Sequence, residues 1–148
     1  MHVEPSRSPV LNNLMDEYGQ ISVALAKHEL YLVVENIFDR TPIKVESIIT
    51  SSRGVSAVPA VTPSFLAQWR WTAYNQISLR DYNKCMTVRG NDLVLGTCET
   101  KRKKIQKTQK ASYKDGWLKI ASKCVQVKKS KKSFQVVLRS CSYSFFGQ

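Results

Sequence analysis

Two near-copies of one pattern occupy the second half of the chain, and they constrain its fold more than any other feature. The first copy reads N-K-C-M-T-V over 83–88 and L-V-L-G-T-C over 93–98. The second reads S-K-C-V-Q-V over 122–127 and V-V-L-R-S-C over 136–141. Each copy is Lys-Cys, a short strand with a valine at its end, a polar turn, a second apolar strand and a closing Cys. A period of roughly 40 residues marks a supersecondary unit used more than once, which buries its apolar face only by stacking on other copies.

Cys85, Cys98, Cys124 and Cys141 are the four cysteines. Four cysteines allow three connectivities, and the repeat argues for Cys85–Cys98 and Cys124–Cys141, one bond inside each copy. Each loop so closed contributes roughly 3 kcal/mol in the chain-entropy model. Paired disulfides imply an oxidising, extracellular setting for a secreted protein. A metal site is not expected: there is no C-x-x-C, and His2 and His28 lie far from every Cys. No cofactor motif occurs. Residues 1–13 have no apolar core segment of the kind a secretory signal needs, so a secreted chain would be a mature form. No apolar run approaches transmembrane length.

Charge divides the chain. Residues 1–79 carry 6 Lys and Arg against 7 Asp and Glu, whereas residues 80–148 carry 17 against 4, a balance of +13. Such asymmetry points to a polyanionic partner: nucleic acid, an acidic glycan or an anionic membrane surface. Lys101, Arg102, Lys103, Lys104, Lys107 and Lys110 form one basic cluster. Lys128, Lys129, Lys131 and Lys132 form a second, in the polar turn of the second copy. Both are expected on turns where long side chains reach solvent. Nucleic acid is the weaker candidate, because the 101–110 cluster has no interleaved aromatic to stack a base.

The remaining sequence supports an all-β fold. Residues 1–18 read as a flexible N-terminal tail. Between Leu14 and Phe38 a helical stripe competes with strand alternation. The alternation of Ile21, Val23 and Leu25, then Leu30, Leu32 and Val34, favours two strands around the polar turn 27–29. Ile43, Val45 and Ile48 continue that period, and 51–63 reads as a long loop or weak edge strand. Helix is expected in the first third at most. Trp69 and Trp71, two apart, point to one face of a strand. Core packing is their plain role, and a sugar-stacking platform the sharper alternative.

With its Lys-Cys strands, apolar returns ending in Cys and the Q-W-R-W stretch at 68–71, the chain resembles the ricin-type β-trefoil, or R-type lectin, superfamily. Within it, residues 65–148 are similar to the cysteine-rich lectin domain of the mannose receptor group and to the binding subunits of cytolethal distending toxins. The resemblance implies a single β-trefoil over 19–148, with lobes at about 19–71, 72–112 and 113–148, the first degenerate. It also implies a candidate sugar pocket at Thr87, Gln126 and Trp117. Galactose-binding lobes of the family carry Asp two residues after the first Cys, where this chain has Thr87 and Gln126. The family's closing Gln-x-Trp is replaced by Lys104-Ile105-Gln106 and by 145–148. Ordinary galactose binding is therefore not implied.

No catalytic constellation occurs: no G-x-S-x-G, no H-E-x-x-H, no phosphate-binding glycine loop. The expectation is a non-enzymatic, lectin-like module for acidic or sulfated glycans. The alternative is a protein-interaction subunit of a toxin or receptor complex whose sugar pockets are lost.

Overall fold

The computed structural model describes residues 14–25, 28–47, 66–131 and 133–141. Over these residues the chain is mostly β, as expected, in three antiparallel sheets with one short helix. The first sheet is a meander of β1 (Ser22–Leu25), β2 (His28–Val33) and β3 (Lys44–Ser47). The second runs β4 (Trp69–Trp71), β5 (Ile77–Leu79), β6 (Lys84–Arg89) and β7 (Asp92–Thr97). Helix α1 (Arg102–Thr108) leads to the third: β8 (Ala111–Lys114), β9 (Trp117–Ile120), β10 (Lys123–Ser130) and β11 (Ser133–Arg139). Disulfides Cys85–Cys98 and Cys124–Cys141 staple the last hairpins of the second and third sheets.

The three sheets repeat one another row by row. Ser22, Tyr31 and Glu46 lie side by side across the first sheet. Ser78, Cys85 and Gly96 form the same row in the second. Lys119, Cys124 and Arg139 form it in the third. Tyr31 thus stands where the other two sheets have a cysteine. One row earlier, Met15 pairs with Ile21, Trp71 with Ile77 and Tyr113 with Leu118. Ile21, Ile77 and Leu118 are all buried in one hydrophobic core. Alternation places Leu32 and Met86, then Val45 and Leu95, in that core as well.

The turn that opens the first sheet is built again in the second. Asp16 Oδ1 accepts from the amides of Tyr18 and Gln20, at 2.8 and 2.9 Å. Thr72 Oγ1 accepts from Tyr74 and Gln76, both at 3.1 Å. Short polar side chains cap such turns by replacing a backbone acceptor. Gly19 and Asn75 hold equivalent left-handed positions, with φ of 83° and 63°. A Cβ on Gly19 would lie 2.7 Å from the Trp69 carbonyl oxygen, so glycine is required there. The third turn is shorter: Asp115 and Gly116, with φ of 53° and 86°, make a tight hairpin of the mirror-image kind. The carbonyls of Gly19 and Asn75 then accept the amides of Trp69 and Ala111, both at 2.8 Å. Each of the first two sheets is thereby tied to the strand that opens the next.

Three expectations change. Residues 14–18 belong to the folded part, because Asp16 and the Met15–Ile21 bridge build the first turn. The basic segment after Cys98 is helical rather than a turn, so the described helix lies in the last third of the chain and not in the first, where helix was expected to be confined. Lys, Arg and Gln are good helix formers, and Ile105 alone anchors the helix by burial. Finally, Lys104-Ile105-Gln106 lies inside α1 and is not a closing strand. That role falls to β8, where Ala111 pairs with Ile120 as Trp69 pairs with Leu79. Residues 1–13, the loop 51–63 and the segment 145–148 lie outside the described residues.

Trp69 is fully buried, and its Nε1 donates to the Leu32 carbonyl at 3.0 Å, joining the first two sheets. It is a core residue and no sugar platform. Trp69→Ala should lower unfolding free energy by about 3–5 kcal/mol in urea titration. Trp71→Ala, at a half-buried site, should cost clearly less.

Candidate polyanion-binding surface

α1 gathers the first basic cluster on a rigid element. Lys101, Arg102, Lys103, Lys104, Lys107 and Lys110 are all exposed, Ile105 is the one buried residue of the helix, and the helix rests on β6. Its first turn holds no acid and its start has no side-chain cap. Lys101, Arg102, Lys103 and Lys104 therefore crowd the end of the helix where aligned peptide dipoles already place positive charge. This arrangement works against helix stability. The ion-paired lysines lie elsewhere, Lys44 on Glu35 at 2.9 Å and Lys84 on Asp39 at 2.7 Å. Among the described residues no cation of the α1 cluster makes an ion pair.

The second cluster sits at the β10–β11 hairpin. Lys128 and Lys129 are exposed near the end of β10, and Lys131 follows in a left-handed turn with φ of 44°. Lys132 lies outside the described residues. Lys129 pairs with Phe134, whose ring centroid is 5.0 Å from that of His28 on β2. The hairpin tip leans on the first sheet while α1 leans on the second, so the two clusters have different neighbours. The His28 side chain, itself exposed, contributes only this ring contact among the described residues.

The three pocket candidates come from three strands of two sheets. Thr87 is on β6, Gln126 on β10 and Trp117 on β9. Thr87 and Gln126 occupy the same row of two different sheets, opposite Val94 and Val137. Gln126 and Trp117 are half-buried on adjacent strands. The hydroxyl of Thr87 is already engaged: it donates to the Cys85 carbonyl and accepts from Gln109 Nε2, both at 2.9 Å. Gln109 Nε2 also donates to the Thr97 carbonyl at 3.0 Å, while its Oε1 accepts from the Glu99 amide and Gln76 Nε2, both at 2.8 Å. Gln76 Nε2 reaches the Glu99 carbonyl at 3.0 Å, and its Oε1 accepts from Thr72 at 2.9 Å. Both glutamines are about 98% buried or more. Every polar atom of their two amides is used, as burial demands. This network fixes the start of α1 against the 72–75 turn.

Sequence reasoning missed the network, whose members come from four separated segments. It also missed the first-unit turn. There D-E-Y-G-Q-I-S at 16–22 matches T-A-Y-N-Q-I-S at 72–78, a correspondence readable from the letters.

Electrostatics sharpen one junction. The Lys84 ammonium, hydrogen-bonded to Asp39, holds that carboxyl below the ordinary carboxylate range, and Thr97 Oγ1 donates to it as well at 3.2 Å. Burial, and after it the Glu29 carboxylate, raise the Tyr31 phenol. Among the described residues no group of three His, Cys, Asp or Glu could hold a metal ion. No helix among them is long and apolar enough to cross a membrane. No protein-family model matches the chain, and no curated protein matches it in sequence.

Asp39 and Lys84 join the 38–41 turn of the first unit to β6 of the second. A carboxyl with a lowered folded-state pKa stabilises at neutral pH. That contribution fades as pH falls from the ordinary value of 3.8 through the lowered one. Melting temperature measured from pH 6 to pH 2.5 should therefore fall less steeply for Asp39→Asn than for wild type.

Proposed function

We propose that the chain is a secreted β-trefoil of the ricin-type lectin superfamily. Its basic surface binds acidic or sulfated glycans at a cell surface, without catalysis. Three row-equivalent sheets around a common core support the trefoil. In this reading the lobes at 19–71, 72–112 and 113–148 each meet the next through the strands β4 and β8. The two disulfides and the lack of a membrane-crossing helix among the described residues fit an extracellular module.

The observation that carries the glycan reading is the uncompensated charge on α1. Four consecutive cations crowd a helix end where they repel the dipole, and none is neutralised by a described carboxylate. Charge placed against stability supports a role in binding an anionic ligand. Sulfate and carboxylate groups suit it, with the Arg102 guanidinium able to grip two oxygens at once. One observation favours the second reading, a protein-interaction subunit of a toxin or receptor complex. The Thr87 hydroxyl is spent inside the fold, so a neutral-sugar pocket at that row is not available.

Wild type should elute from a heparin column above physiological salt, because several cations act together. Changing 101–104 to glutamine, or Lys128, Lys129, Lys131 and Lys132 to glutamine, should lower the eluting salt with the circular dichroism spectrum unchanged. Lys103→Glu should raise unfolding free energy by about 0.3–1 kcal/mol while weakening heparin retention. If all variants elute with wild type, the lysines are a solvated face and the protein-interaction reading takes precedence.

A further inference from the structure

The 72–75 turn carries Tyr74, which is 62% exposed. Of the large apolar side chains among the described residues, Phe38 alone is more open. The turn is held stiffly, by Thr72 Oγ1 on two amides and by the buried Gln76–Gln109 pair. It also abuts both ends of the basic segment. Gln76 Nε2 donates to the Glu99 carbonyl, two residues before Lys101, and Asn75 O accepts from the Ala111 amide at 2.8 Å. Tyr74 and Lys110 each sit one residue from that last bond. Standard backbone dimensions put their Cα atoms at most about 12 Å apart. The sequence separates this aromatic from the lysines by more than two dozen positions; the fold brings it beside them.

We infer that Tyr74 is a stacking platform beside the α1 cations, and that the ligand of this surface is a sulfated sugar chain rather than a bare polyanion. The inference rests on the glycan reading above and narrows it. A pyranose presents a face of C–H bonds that packs on an aromatic ring, while its sulfates reach the flanking ammonium and guanidinium groups. An inorganic polyphosphate offers only the second contact. The fold supplies its own control. Tyr18 is the row-equivalent residue, 41% exposed on the same kind of turn, but it is flanked by Asp16 and Glu17 instead of a basic helix. Tyr18 therefore has carboxylates beside it in the chain, and these repel a sulfated ligand.

Calorimetric titration at physiological salt with a heparin-derived hexasaccharide and with inorganic polyphosphate tests this. Tyr74→Ala should raise the hexasaccharide Kd about fivefold and leave the polyphosphate Kd unchanged. Tyr74→Phe, which keeps the ring, should match wild type, and Tyr18→Ala should change neither ligand. Equal losses for both ligands in Tyr74→Ala would show a charge or folding effect and overturn the inference. So would a hexasaccharide Kd that does not respond. A larger loss for an oligothymidine than for the hexasaccharide would assign the platform to nucleic acid and overturn it too. Failure of wild type to bind any sulfated chain would instead sink the glycan reading on which the inference stands.

Discussion

Burial of one apolar residue just after the opening turn of each unit is the constraint on which the molecule depends. Ile21, Ile77 and Leu118 enter the core from three turns, and each must arrive at the same depth for its sheet to close over it. In the first two units that depth is set by an oxygen, from Asp16 or Thr72, gripping two backbone amides. A hydrophobic contact fixes how much the structure gains; these hydrogen bonds fix where the chain must be to gain it. Water would satisfy the same amides in the unfolded chain, so each bond contributes only about 1 kcal/mol net. Their effect is geometric: they choose one register among several of similar burial.

The same logic explains the buried glutamines. Gln76 and Gln109 bring four amide atoms into the core, at a desolvation cost of a few kcal/mol each if left unpaired. Because all are paired, the cost is offset and the contact becomes directional. The first unit shows the unpaired case. Gln20 is the row equivalent of Gln76, and Ala67 lies where the second unit's partner strand has Gln109, two residues ahead of Trp69 as Gln109 is ahead of Ala111. Gln20 Nε2 accordingly has no partner among the described residues.

Much of this was legible in the letters. The cysteine pairs, the strands at Ile21–Leu25 and Leu30–Val34, and the burial of Trp69 follow from alternation and repeat spacing. The first unit's equivalence was harder to read. Tyr31 replaces the cysteine that marks the other two, and 48–65 stretch its spacing beyond the period of the rest. Helix α1 left no periodic trace, since one Ile among lysines cannot display a 3.6-residue stripe. Tyr74 beside the basic cluster was unreadable for another reason. Proximity there is produced by the Asn75–Ala111 hydrogen bond, which joins segments distant in sequence.

Tyr31 has one more bearing. Covalent closure restrains the opened forms of the second and third units but not of the first, which is held by packing and hydrogen bonds alone. Partial opening therefore starts with the largest gain in chain freedom at the first sheet. The stapled second sheet and the basic helix resting on it can persist while the first sheet breathes. In an oxidising medium the molecule is mechanically two-tiered, a stiff charged part and a softer neutral part. A reductant would erase the difference without touching a single residue of the surface.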